Sequence, residues 1–175
     1  MTRYFSVAAG IVLVAAGMAS AQSPAATASA TIGGKNITIK YAAPSVRGRK
    51  IFGDGGLISH DVNYPVWRAG ANSATAFHTD ADLTIGTLVV PKGDYTLYVL
   101  VKDPDAWELI VNKATGQWGL TYDASTDLGR VKMTMKKPAA PVETLKYTIS
   151  DLGGNKGTLQ LEWENHVASV PLTLK

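Results

Sequence analysis

The chain has 175 residues, 46% of them hydrophobic, a formal charge of +3 and no cysteine. That is the size of one domain with a core large enough to fold without covalent staples. Lacking cysteine excludes disulfides, thiolate metal sites, thiol nucleophiles and a lipid-bearing cysteine, and the mild charge, densest at Lys132, Lys136 and Lys137, predicts no nucleic-acid partner.

Residues 1–21 read as a secretory signal peptide. Arg3 supplies the positive start, Val7 to Met18 an apolar run, and Ala19-Ser20-Ala21 the small-x-small cleavage pattern that leaves Gln22 as the new start. The run is shorter than the roughly 20 apolar residues of a membrane span. The mature protein is therefore expected in the periplasm or secreted, and not membrane-spanning. Residues 22–30, rich in Ala, Ser, Thr and Pro, read as a flexible leader, and residues 31–175 as one domain.

Within that domain the dominant signal has a period of two. Ile37, Ile39 and Tyr41 alternate with Thr38 and Lys40, and Tyr95 to Lys102 is apolar on both faces, which predicts a central strand. Val131, Met133 and Met135 alternate with Lys132, Thr134 and Lys136. The same pattern runs through Leu145–Ile149, Leu159–Trp163 and Val170–Leu174. Turn residues punctuate the runs at Gly33-Gly34, Pro91-Lys92-Gly93-Asp94, Asp103-Pro104-Asp105 and Gly153-Gly154-Asn155. One wet and one dry face per strand marks antiparallel sheet. The reading is a mainly β, antiparallel two-sheet β-sandwich, jelly-roll or Ig-like, with one long ordered loop region.

That loop region runs from Pro44 to Ala74. It holds Gly48, Gly53, Gly55, Gly56 and Gly70 among Arg47, Arg49, His60, Asp61, Tyr64, Trp67, Arg68 and Asn72. A loop of this length in a compact domain is either disordered or functional, and its aromatics and arginines argue against disorder. Several of its residues also carry a resemblance. Tyr41-x-x-Pro44-Ser45-Val46-Arg47-Gly48-Arg49-Lys50-Ile51-Phe52-Gly53, Val66-Trp67-Arg68-Ala69-Gly70-Ala71-Asn72-Ser73-Ala74-Thr75 and Pro91-Lys92-Gly93-Asp94-Tyr95-Thr96-Leu97 resemble, in order, signatures of the exported bacterial family called domain of unknown function 2911. Trp107 to Asn112, Trp118-Gly119 and Leu161-Glu162-Trp163 follow in the same order. The resemblance implies an exported β domain and brings no catalytic residues or cofactor. Ser73 stands where the family pattern has Glu, and Ser59 to Pro65 is longer than its counterpart.

The binding reading selects Arg47, Arg49, Trp67, Arg68, Asn72 and Thr75. A Trp face stacks on sugar rings or cations, Arg forks onto carboxylate or phosphate, and Asn both donates and accepts. The competing reading makes Trp67 a core plug and the polar groups ties for loop carbonyls. The expected partner is an unspecified small molecule, a glycan or an envelope protein, with no cofactor. An alternative is a hydrolase using His60 or His78 with Asp61, although the common hydrolase motifs are missing; a third is a structural envelope protein. His60, His78 and His166 lack metal-ligand spacing. Asp123-x-Ser125-x-Asp127 starts like a calcium loop but has Leu128 where glycine is required. Glu162 and Glu164 read as the wet face of a strand.

Overall fold

Period-two alternation becomes two antiparallel sheets in the computed structural model, which describes residues 22–175; the expected signal peptide lies outside the described residues. The strands are β1 (Ala25–Ile32), β2 (Lys35–Ala42), β3 (Val66–Trp67), β4 (Thr75–Thr79), β5 (Leu83–Ile85), β6 (Leu88–Val90), β7 (Gly93–Leu100), β8 (Glu108–Asn112), β9 (Asp127–Lys132), β10 (Thr134–Lys136), β11 (Val142–Gly153), β12 (Lys156–Glu164) and β13 (His166–Leu174). A seven-stranded sheet runs β1-β2-β4-β7-β8-β9, with β3 paired to β7. A six-stranded sheet runs β11-β12-β13-β5-β6, with β10 paired to β13. The sheets do not close into a barrel, but their edges approach each other at β1 against β11 and at β6 against β9. Bare backbone permits both approaches. A Cβ on Gly157 would run into Ile32, and one on Gly129 would meet Leu88 Cδ1 at 2.5 Å.

The apolar faces meet between the sheets. Ile37 and Ile39 of β2, Phe77 of β4, Leu97 and Val99 of β7, Leu109 and Val111 of β8 face Leu145, Tyr147, Leu159, Leu161, Val170 and Leu172. β7 is buried on both faces, as its sequence predicts, because Tyr98 packs on the outer side with Val66 and Ile110. One end of the core is an aromatic knot. Phe52 lies with its ring centroid 4.7 Å from Trp107, 5.4 Å from Trp67 and 5.7 Å from Trp163. Phe52 and Trp67 both come from the 44–74 segment, so that segment is ordered by driving its aromatics into the sandwich.

Two sequence expectations change. The expected flexible leader, residues 22–30, is mostly β1, which pairs along its length with β2 from Ala25↔Ala42 to Ile32↔Lys35. Before Ile32 its inward residues are all alanines, Ala26, Ala28 and Ala30, so the alternation carries little hydrophobic contrast there. The run from Val131 to Lys136 is two strands rather than one: β9 pairs with β8, β10 with β13. The chain changes sheets at buried Met133, whose N–H donates to Trp107 O at 2.9 Å.

Candidate functional site

The 44–74 segment is fastened to β11 before it turns inward. Val46 N donates to Glu143 O at 2.8 Å, Arg47 N donates to Glu143 Oε1 at 2.9 Å, and the Ser45 and Thr144 hydroxyls lie 3.0 Å apart. Arg47 takes φ 50° and Asn72 φ 60°, left-handed values that an L side chain adopts at some cost and that recur at ligand sites. Arg49 ties down its own loop, donating from Nη2 to Ser45 O at 2.6 Å and from Nε to Val46 O at 3.0 Å. The Arg47 guanidinium makes no hydrogen bond or ion pair among the described residues. Arg47 and Arg49, with Asn72 from 23 residues further on, line one recess of about 250 Å³ together with Ser45, Gln22 and Ser23.

The other selected residues go elsewhere. Thr75 is wholly buried and donates to Ala69 O at 3.0 Å. Trp67 is wholly buried too, stacked on Trp163 at 5.6 Å and 19°, and presents no face to solvent. Arg68 lines a second recess of about 270 Å³ with His60, Asp61 and Trp163. Its Nη2 lies 3.9 Å from Asp61 Oδ2, and its buried Nε has no hydrogen-bond partner among the described residues. The two recesses share a wall: Ser45 and Asn72 border the first, their neighbours Pro44 and Ala71 the second.

This arrangement is built from the segments around Arg47 and Trp67-Arg68 that gave the sequence its resemblance. Residues 23–172 match the family described as Protein of unknown function (DUF2911). The chain belongs to that family. No curated protein and no solved structure gives a significant match to it. Residues in DUF2911 members thus acquire roles here from geometry alone.

In this DUF2911 sandwich the histidines are dispersed. His60 and Asp61 share the Arg68 recess, whereas His78 stands on the outer face of the seven-stranded sheet between two acids. Its Nδ1 lies 2.7 Å from Asp94 Oδ1 and its Nε2 3.0 Å from Asp80 Oδ1. The hydrogen bonds to Asp80 and then Asp94 raise the His78 pKa. His166 is the reverse: its ring stacks on Trp107 at 5.0 Å and 17°, and burial lowers its pKa. Among the described residues no group of three or more His, Asp or Glu side chains is placed to hold a metal ion.

These shifts give opposite pH dependences. A raised folded pKa means that His78 contributes fully below its unfolded value of about 6.5 and loses that contribution as pH rises through the folded value. His166 contributes above about 6.5 and loses its share as pH falls through its lower folded value. The stability gap between wild type and His78→Gln, measured by urea unfolding, should therefore be wider at pH 5.5 than at pH 9. A gap that widens with alkalinity would show that the imidazolium is not held between the acids.

Glu164 departs from the wet strand face expected of it. It takes φ 54°, turns its Oε1 to accept Ile51 N at 2.9 Å, and brings Oε2 to 3.5 Å from His166 Nδ1. Glu162 keeps to the surface with Lys146, 3.8 Å away. In the calcium-like run, the carboxylates serve the protein: Asp123 accepts Ser125 N at 2.8 Å and Asp127 accepts Tyr122 Oη at 2.7 Å. Trp118, which the sequence reading named for its family resemblance but not as a binding candidate, is 53% exposed and bridges Ser73. The further signal was an aromatic inside a Gly-punctuated turn, Gly116-Gln117-Trp118-Gly119.

Proposed function

We propose that this is an exported, non-enzymatic binding module that holds an anion-bearing ligand in the recess formed by Arg47, Arg49 and Asn72. The supporting observation is the Arg47 guanidinium, unengaged among the described residues: its backbone is pinned by Glu143 in a left-handed conformation, and it lines a polar recess that Asn72 also lines. Arg offers a planar fork that matches carboxylate or phosphate, and Asn72 supplies both a donor and an acceptor for neighbouring hydroxyls. Export rests on the leader pattern of residues 1–21.

Calorimetric titration of the purified protein with phosphate, citrate and simple carboxylates tests the reading. At least one of these anions should bind, and Arg47→Ala should weaken it by roughly tenfold or more, the scale of a lost charge-assisted hydrogen bond. Binding undiminished in Arg47→Ala would remove this recess as the site. A hydrolase reading has one observation in its favour, the shared recess of His60, Asp61 and Arg68. Turnover of an ester or glycoside that survives His60→Ala would discard it.

A further inference from the structure

The Arg68 recess holds two ionisable groups that the fold brings together without joining. Arg68 Nη2 lies 3.9 Å from Asp61 Oδ2, beyond hydrogen-bond reach, although the two side chains are only 21% and 11% exposed. Neither the guanidinium nor the carboxylate makes a hydrogen bond among the described residues, and Arg68 Nε is buried without a partner there. Elsewhere the same molecule closes such a pair completely. Arg130, more exposed at 38%, donates to Asp127 Oδ2 from Nε at 3.3 Å and from Nη2 at 3.0 Å, and to Tyr122 Oη at 2.9 Å. Opposite charges that are mostly buried yet left open incur the cost of desolvation without the hydrogen bonds that offset it.

The gap is held open from both sides. Arg68 follows Trp67, whose ring is locked in the core, and its stem lies against Gly119, where a Cβ would run into it. Asp61 closes the 3₁₀ turn Leu57–His60: its N–H donates to Ile58 O at 3.0 Å, and its carbonyl accepts Tyr64 N at 2.9 Å. That turn also brings Leu57 and Ile58 to the recess, where Pro44 and Trp163 complete an apolar wall. The volume of about 270 Å³ falls short of the roughly 300–1,000 Å³ of sites for drug-sized molecules, so the occupant is small. It must offer an anion to the guanidinium and a cation to the carboxylate, side by side on an apolar body. An α-amino acid carries both charges on one carbon, close enough to bridge groups 3.9 Å apart; a peptide has only one of them at each end. We propose that the Arg68 recess binds a free apolar α-amino acid, its carboxylate on Arg68, its ammonium on Asp61 and its side chain against Pro44, Leu57 and Ile58. This site is separate from the anion site above, since no acid lines the Arg47 recess.

Calorimetric titration of the purified protein with leucine, methionine and phenylalanine tests this. Each is compared with its amide, which lacks the carboxylate, and its des-amino acid, which lacks the ammonium, and all three with glycine. At least one of the three amino acids is expected to bind, and loss of either charge or of the side chain should weaken it roughly tenfold or more. Asp61→Asn and Arg68→Lys should each cost a similar factor. The ligand comparisons use the unaltered protein, so they decide the matter even where a variant misfolds. Failure of all three amino acids to bind overturns the proposal. So does equal affinity for the amide, the des-amino acid or glycine, or undiminished affinity in a folded Asp61→Asn.

Discussion

Replacing Trp67 by alanine is expected to lower the thermal midpoint by roughly 6–20 °C. Truncating a buried Trp costs about 3–5 kcal/mol, and each kcal/mol moves the midpoint of a domain this size by about 2–4 °C. The upper half of that range applies because the site cannot collapse easily. Trp67 is wedged between Trp163, stacked at 5.6 Å, and the ring edges of Phe52 and Trp107 at 5.4 and 6.4 Å, so its removal leaves a void bounded by rigid rings. Trp67→Phe should cost far less, since among the described residues the indole Nε1 has no hydrogen-bond partner to lose. Differential scanning calorimetry of both variants checks this, and an unchanged midpoint in Trp67→Ala would place the ring outside the core.

A comparable loss is expected from a polar change. Asn112 is wholly buried at the end of β8, and each of its amide atoms is used twice. Nδ2 donates to Asp123 O at 3.0 Å and Asp127 Oδ1 at 2.9 Å; Oδ1 accepts Ala114 N at 2.9 Å and Thr126 Oγ1 at 3.0 Å. Asn112→Ala strands several of these groups, each at about 1–3 kcal/mol, so a net loss of roughly 3 kcal/mol is expected in urea unfolding. Asn112→Asp keeps the shape but puts a carboxylate against Asp127 and should be as harmful at neutral pH. The same network explains the calcium-like run. Asp127 already accepts Asn112, Tyr122 and Arg130 Nη2, and Tyr122, by burial first and then the bond to Asp127, has its pKa pushed up to about 12. If Asn112→Ala unfolded at the wild-type urea concentration, Asn112 would be no structural hub.

Much of the fold was legible because burial and alternation coincide. The apolar run from Tyr95 to Val101 predicted a strand covered on both faces, and β7 lies between β4 and β8 with a second small cluster on its outer side. The reading failed where side-chain contrast is low or the backbone changes partners. β1 hides in Ala, Ser and Thr because β11 of the opposite sheet comes close to it, and β9 and β10 share one unbroken alternation although they belong to different sheets. Of the candidate site, only the shared recess of three selected residues was legible. Arg47, Arg49 and Asn72 do meet, since glycines and left-handed residues bend the 44–74 segment back on itself. Which tryptophan faces out was not legible. Trp67 and Trp118 sit in similarly Gly-punctuated stretches, and only the packing of Phe52, Trp107 and Trp163 around one of them separates an interior ring from an exterior one.

The position of the last strand carries a consequence for how the chain acquires its shape. β13 is interior to its sheet, pairing with β12 on one side and with β5 and β10 on the other. Until the nine residues of β13 are available, β5, β10 and β12 have no common partner, and half of the core has no wall. Contacts so distant in sequence form slowly. A growing chain therefore leaves the second sheet open until β13 arrives, and deleting β13 removes the keystone of that sheet.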